Sequence, residues 1–270
     1  MQVPVQIYAK GRNLAGVIHI PSVRAIGAPI IIMCYGLNGD RVEVHRMSVF
    51  AARRAAQLGI TFIRFDYSGL GLSDDEFWHS SINTKVEDVL AVIDFVKGCF
   101  QTENPTLVLL GFSDGGRVAC RIANICKEVS GLAMWNPMFS AMPPILPNSG
   151  FVPKFVREPQ TREFVYPFFG LWMGSEYVRD INSSMNIEEF NTYDKDKLLI
   201  FGGDDLYSKE TREQIIRDPS NLTTNVKIIS IPGANHLFNR VEWTEQVISK
   251  TMEWVLEVGR LKKRMKEELN

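Results

Sequence analysis

Metal-binding and redox side chains are scarce in this sequence. Its 270 residues hold four cysteines and four histidines, and no two cysteines stand as Cys-x-x-Cys. Without that spacing a structural zinc site has no footing. Cys34, Cys99, Cys120 and Cys126 read instead as small apolar side chains of a reducing compartment. Long apolar runs are missing too. The longest, Phe164–Met173, is well short of the roughly 20 residues a membrane span needs, and Pro167 interrupts it. Nor is there an excess of one charge: 30 Lys+Arg against 31 Asp+Glu leave a net charge of −1. A chain with no basic surplus is poorly suited to a phosphate backbone, so neither nucleic acid nor a membrane is an expected partner. The opening residues Met1-Gln2-Val3-Pro4-Val5-Gln6 lack the charged-then-apolar order of a signal peptide, and the expected location is the cytoplasm.

What is present fits one large α/β domain, with 45% apolar and 23% charged residues. Two alternating segments, Val3–Tyr8 and Leu14–Ile20, predict a hairpin across the polar turn Lys10–Asn13. Six short apolar, β-branched runs follow: Ile30–Cys34, Thr61–Phe65, Thr106–Leu110, Leu132–Trp135, Lys197–Phe201 and Val226–Ile231. Such runs suit parallel strands buried on both faces. Helical patterns lie between and after them, at Val42–Leu58, Val86–Lys97, Arg117–Val129, Lys209–Arg217 and Val241–Lys266. The alternation predicts a doubly wound sheet with helices on both faces.

One region breaks the rhythm. Seven of the 13 prolines fall between Pro137 and Pro167. Pro143-Pro144 and Pro147 exclude regular helix or strand where they stand. Phe139, Phe151, Phe155, Phe164, Tyr166, Phe168, Phe169 and Trp172 crowd the same stretch. The segment from about Met138 to Met185 is too apolar for a plain loop and reads as an insertion, either a lid over a ligand or a small satellite core.

The chemistry centres on Gly111-Phe112-Ser113-Asp114-Gly115, a Gly-x-Ser-x-Gly element between a predicted strand and a predicted helix. In that context the serine sits on a tight strand-to-helix turn, and the flanking glycines remove β-carbons that would collide. The plainer alternative is a strand-to-helix turn with an incidental serine. A serine hydroxyl is inert without a base. Of His19, His45, His79 and His236, only His236 lies on a loop following a late strand, at the edge where ligands bind in such sheets. His19 and His45 read as structural or exposed, and His79 as a reserve near the mouth. The orienting acid should also follow a strand, and Asp204 or Asp205 satisfies this. An oxyanion hole would use the amide of Asp114 and a second amide from the loop Cys34–Gly39, where Leu37 is the best donor. Gly69-Leu70-Gly71 begins like a dinucleotide fingerprint, but Asp74 stands at the third glycine position, so no cofactor is expected.

These motifs resemble the α/β-hydrolase superfamily over nearly the whole chain. The order Ser113, Asp205, His236 is that family's order. Phe65-Asp66-Tyr67-Ser68-Gly69-Leu70-Gly71-Leu72-Ser73 is similar to its F-D-x-x-G-x-G-x-S segment. Gly202 to Asp205 matches its G-x-x-D pattern, which favours Asp205 over Asp204, and Ile231–His236 resembles its histidine loop. Trp172-Met173-Gly174-Ser175-Glu176-Tyr177 resembles the start of the lid's last helix in feruloyl/cinnamoyl-esterase-like and serine-aminopeptidase-like members. The resemblance implies a mostly parallel eight-stranded sheet, with residues 1–137 and 186–270 as core and 138–185 as lid. Three departures stand out. Tyr35-Gly36 replaces the usual His-Gly. Asp114 follows the nucleophile, as a cation contact for substrate or a helix cap. The strand ending at Trp135-Asn136-Pro137 carries no acid.

The function implied is a serine hydrolase that cleaves an ester, thioester or amide of a small to medium, partly apolar acyl substrate through an acyl-enzyme. Ser113, His236 and Asp205 would be the triad. A biosynthetic thioesterase or acyltransferase with the same triad is the first alternative, with an acyl carrier protein facing Lys154, Arg157, Arg162 and Arg179. A non-catalytic binding protein is the second. The charged tail Arg260–Glu268 either frays or packs on a second subunit as a homodimer.

Overall fold

The computed structural model of the chain describes residues 1–24, 27–100, 105–141, 154–168, 170–183, 187–218 and 225–268. Eight strands form one sheet: β1 (Gln2–Ala9), β2 (Arg12–His19), β3 (Ile30–Cys34), β4 (Thr61–Phe65), β5 (Leu107–Phe112), β6 (Val129–Trp135), β10 (Asp196–Gly202) and β11 (Val226–Ile231). Their spatial order is β1-β2-β4-β3-β5-β6-β10-β11. The first two pairings, β1 with β2 and β2 with β4, are antiparallel, and the rest are parallel. Every residue of β3, β4 and β5 is buried, because helices cover both faces. The helices around the sheet are α1 (Met47–Gln57), α2 (Ile82–Phe100), α3 (Gly115–Ile125), α6 (Lys209–Arg217) and α7 (Val241–Glu268). On α7, Val247, Thr251 and Val255 lie on one buried stripe, spaced four apart, as a helix on a sheet requires. Each fully buried Ile, Leu or Val in this core is worth about 1.5–3 kcal/mol over its exposed state.

Three helix boundaries differ from the sequence expectation. The pattern from Val42 predicted one helix, but a single 3-10 turn, Val44–Arg46, precedes α1. Asp40 Oδ1 accepts from the amides of Val42 and Glu43 in a local turn, and Glu43, His45 and Arg46 all take positive φ. α2 starts at Ile82 rather than Val86, because Ser81 and Thr84 exchange side-chain and backbone hydrogen bonds across its first turn. α3 ends at Ile125, since β6 already begins at Val129.

Between β6 and β10 the chain leaves the main sheet. It forms a three-stranded antiparallel sheet, β7 (Val156–Arg157), β8 (Phe164–Phe168) and β9 (Leu171–Gly174), followed by α4 (Ser175–Asn182) and α5 (Ile187–Thr192). Pro167 lies inside β8, opposite Trp172. It is tolerated there because two-residue β7 pairs only with Phe164 and Val165, leaving β8 one-sided at Pro167. Pro143, Pro144, Pro147, Phe151 and Phe169 lie outside the described residues. No described helix is long and apolar enough to cross a membrane.

The sheet register sets the position of the site. Gly111 pairs with Cys34, Phe112 with Trp135, Ile200 with Trp135, and Gly202 with Ile231. Strands β3, β5, β6, β10 and β11 therefore reach one rim together, and their following loops open onto the same space.

Candidate active site

Ser113 stands between β5 and α3 with φ 54°, a left-handed conformation that a serine adopts only when its surroundings impose it. The surroundings do so by close packing. A Cβ on Gly115 would lie 2.2 Å from the Cys34 carbonyl oxygen, and one on Gly111 would lie 2.8 Å from Gly116 Cα. Glycine at both positions lets the helix fold straight back over the sheet.

His236 follows β11 and reaches back to this turn. Its Nε2 is 2.8 Å from Ser113 Oγ, and its Nδ1 is 2.9 Å from Asp205 Oδ2. The imidazole stacks on Phe112 with ring centroids 5.6 Å apart and meets Tyr207 at 5.2 Å. Asp205 is buried after β10; Asp204 is exposed, and its amide bonds the Ala234 carbonyl. Burial pushes the Asp205 carboxyl up, but hydrogen bonds from His236, Ser208 Oγ and the Tyr207 amide outweigh it and hold the group below the ordinary aspartate value. An ionised carboxylate only accepts, so Nδ1 carries the proton and Nε2 turns its lone pair to the serine hydroxyl.

The two amides named for the oxyanion lie beside Ser113. Gly36 approaches so closely that a Cβ there would be 3.5 Å from Ser113 Cβ. Among the described residues, neither the Leu37 nor the Asp114 amide meets an acceptor within the protein. No group of three or more His, Cys, Asp or Glu among the described residues is arranged to hold a metal.

Residues 30–232 match the family model of the serine aminopeptidases, S33. The chain belongs to this family of α/β hydrolases. No curated protein matches it by sequence. Among solved structures it is similar to Est1E from Butyrivibrio proteoclasticus with ferulic acid bound, at TM-score 0.72 and 22% identity over 94% of this chain and 98% of that one. DcsB in complex with a substrate analogue gives TM-score 0.75 and 16% identity over 96% and 100%. The α/β hydrolase GrgF from Penicillium sp. sh18 gives TM-score 0.69 and 16% identity over 96% and 98%. At these identities the likeness is one of fold.

In this S33-type hydrolase Asp114 takes neither place the sequence suggested. It makes no side-chain cap bond to α3. Its carboxylate is not free for a substrate cation either, since Oδ2 accepts from Tyr177 OH at 2.8 Å and Oδ1 lies 3.4 Å from Arg117 Nε. Tyr177 arrives from α4, in the segment between β6 and β10, and its position could not be read from local sequence. The other histidines stay away from Ser113. His19 is buried and accepts from Arg64 Nε; burial, then the Arg64 charge, pulls its pKa down to about 4. His45 bonds the carbonyl of Leu237, next to His236, at 2.7 Å. His79 pairs with Asp75 at 2.6 Å.

Sequence reasoning missed four residues around the site. Asn136 takes φ 42°, accepts from the Gly202 amide at 2.7 Å and donates to the His236 carbonyl at 2.8 Å, so the end of β6 ties the acid loop to the histidine loop. Lys85 is fully buried, and its ammonium donates to Gly36 O at 3.0 Å, to Leu37 O at 2.8 Å and to Tyr177 OH. Arg117 Nε donates to Met138 O at 2.9 Å, and its terminal nitrogens to Ser140 O, Asp180 O and Ser183 O. Met138 Sδ is 3.3 Å from Ser113 Oγ. A signal for Lys85 existed. It falls on the apolar stripe Ile82, Val86, Val89, Ile93, Val96, where a charged residue stays only with buried partners.

Proposed function

We propose that the protein is a serine esterase-type acyl hydrolase that works through a covalent acyl-enzyme. The reading rests on one observation: the relay of 2.8 Å from Ser113 Oγ to His236 Nε2 and 2.9 Å from Nδ1 to Asp205. Ser113 Oγ forms a bond to the carbonyl carbon as its proton passes to Nε2. The carbonyl π electrons move onto oxygen, to which the Leu37 and Asp114 amides donate hydrogen bonds. Each such donor is worth about 3 kcal/mol of barrier. Asp205 stabilises the imidazolium, which then gives its proton to the leaving group as the carbon–leaving-group bond breaks. Water repeats the sequence in reverse and frees the acid.

The substrate we infer has a small to medium, partly apolar acyl group. Leu206, Tyr207 and Leu237 flank the acid and the base yet are 79%, 41% and 41% exposed, an apolar rim at a polar site. Met138 adds an apolar wall at Ser113. Est1E, of the same fold, is known with ferulic acid bound, which suits an aromatic acyl group here as well. In this reading the segment 138–185 serves as the lid. The test is labelling with a fluorophosphonate. The wild type should gain one adduct, mapped by mass spectrometry to Ser113, and Ser113→Ala should gain none. An unlabelled wild type, or equal labelling of the variant, would refute the reading.

A further inference from the structure

The two peptide groups that offer their N–H to the oxyanion have a second end. In a trans peptide the C=O points opposite to the N–H, so whatever holds the carbonyl aims the amide. The Leu37 amide belongs to the peptide whose carbonyl is Gly36 O, and Lys85 Nζ donates to that oxygen at 3.0 Å. The Asp114 amide belongs to the peptide whose carbonyl is Ser113 O, which accepts from the Gly116 amide at 3.0 Å and the Met138 amide at 3.1 Å. Both carbonyls are therefore gripped from behind.

The ammonium is saturated. Its three protons go to Gly36 O, Leu37 O and Tyr177 OH. Having accepted from Lys85, the Tyr177 hydroxyl has one proton to give. Asp114 Oδ2 at 2.8 Å and Leu37 O at 3.0 Å compete for it, and the charged acceptor is the stronger. The chain thus runs from the Gly36 carbonyl through Lys85 and Tyr177 to the side chain of Asp114, the residue that carries the second amide. A cation on a carbonyl also draws electron density from its amide and strengthens the N–H as a donor, without reorganisation when charge develops.

We propose that Lys85 and Tyr177 are positioning residues of the oxyanion hole, and that the segment between β6 and β10, through Tyr177 and the Met138 amide, is one of its working parts rather than only a cover. The proposal rests on the acyl-transfer reading of Ser113. Two further ties make the segment one unit with the core here. Arg117 of α3 holds both its ends, Met138 O and Ser140 O at one and Asp180 O and Ser183 O at the other. Asp180 Oδ2 accepts from the Ile82 amide at 2.8 Å, one helical turn before Lys85. Loosening this segment would remove one of the two donors to the Ser113 carbonyl and one of the three acceptors of the Lys85 ammonium together.

The experiment uses the full chain with Lys85→Met, which keeps the stem and removes the charge, and Tyr177→Phe, which removes only the hydroxyl. Each variant is compared with wild type for kcat and KM on an aryl ester and for inhibition by a trifluoromethyl ketone, whose serine adduct carries the oxyanion. Loss of a well-placed oxyanion donor costs about 100-fold or more in kcat, which sets the expected fall for Lys85→Met. Loss of the hydroxyl's bonds to two charged groups, one step removed from the peptides themselves, sets about tenfold or more for Tyr177→Phe. KM should stay within about twofold, and ketone affinity should fall in step with kcat/KM, because the support acts only on the charged state. If Lys85→Met does not fold, Tyr177→Phe carries the test alone. A folded Tyr177→Phe with unchanged kcat and ketone affinity would overturn the proposal, as would losses carried wholly in KM. Absence of fluorophosphonate labelling in the wild type would instead remove the acyl-transfer reading beneath it.

Discussion

On the core side of Ser113, positions are set by places where no side chain fits. Gly111 and Gly115 let β5, α3 and the end of β3 touch backbone to backbone, and the strained Ser113 follows from that contact. On the other side, the segment after β6 is held mainly by side chains: Arg117 at both ends, Tyr177 from α4 near the second end, and Asp180 on the start of α2. Backbone packing tolerates almost no change, because a carbonyl cannot move without its strand. Side-chain ties can be lost one at a time. The nucleophile and the peptide that follows it are thus fixed by backbone geometry, whereas the Gly36–Leu37 peptide, which would offer the second oxyanion amide, is held by the side chain of Lys85 in a graded way.

Two glycines put this contrast to the test. A Cβ on Gly115 would lie 2.2 Å from Cys34 O, and a Cβ on Gly174, in β9, would lie 2.0 Å from Trp78 O. The clashes are alike, and the expected outcomes are not. Gly115→Ala should cost more than about 4 kcal/mol and yield little folded protein, because β3 and β5 are both central. Gly174→Ala should lift the small sheet away at a cost of about 1–3 kcal/mol, leaving near-native circular dichroism. Its kcat/KM should still fall by about tenfold, since Tyr177 lies one turn further on. Thermal melts and ester turnover on both proteins decide this. Equal loss of fold in the two would erase the distinction.

Asn136 sharpens the same comparison from within the core, because here the core also relies on a side chain. Asn136→Gly keeps the left-handed backbone and removes the bonds to Gly202 and to the carbonyl of His236. Misplacing the imidazole by about 1 Å costs about 100-fold in rate. Asn136→Gly should therefore slow fluorophosphonate labelling by about that factor with KM little changed. Asn136→Ala should add a stability loss of about 1–2 kcal/mol for its left-handed φ. Labelling at the wild-type rate in Asn136→Gly would show that the histidine loop holds itself.

The legible part of this molecule follows the same division. The succession of strands and helices and the loops that carry Ser113, His236 and the Asp204-Asp205 pair depend on local patterns and turn glycines, and these can be read along the sequence. The structure brings those three side chains within hydrogen-bonding distance. The residues alone leave Asp204 and Asp205 open, and the family resemblance favours Asp205, the aspartate that meets His236. Contacts between distant side chains were not legible. Asp114 looked like a cap or a substrate contact because Tyr177, 63 positions away, could not be placed beside it. A proline's effect depends on pairing that sequence does not show: β8 accommodates Pro167 because only one side of the strand is paired there. Lys85 lies just outside the predicted helix Val86–Lys97, and its acceptors come from two distant parts of the chain, Gly36-Leu37 and Tyr177.

The smallest effect expected belongs to His79, which joins the core to β8 through a titrating contact. Its Nδ1 is 2.6 Å from Asp75 and its Nε2 is 3.6 Å from Glu163, just before β8. The hydrogen bond to Asp75 raises its pKa above the free value of 6.5; burial opposes this, and the Asp75 and Glu163 charges add to the rise. A raised value means that the protonated form is bound more tightly in the folded protein. The contribution is complete below pH 6.5 and is lost as pH climbs through the folded value. The geometry supplies the mechanism. Protonated Nε2 faces the Glu163 carboxylate, whereas neutral Nε2 turns acceptor for the Trp78 indole N–H 3.1 Å away and lets Glu163 go. Because the ring is half-exposed, solvent screens the pair and the effect is local. Amides of β8 and β9 should exchange hydrogen modestly faster at pH 8 than at pH 6 after correction for intrinsic rates, while those of β5 do not change. His79→Gln should remove that pH dependence. The same protection at both pH values in the wild type would mean that the core and the small sheet are held together without a titrating tie, by Gly174 packing and the bonds of Arg117, Tyr177 and Asp180.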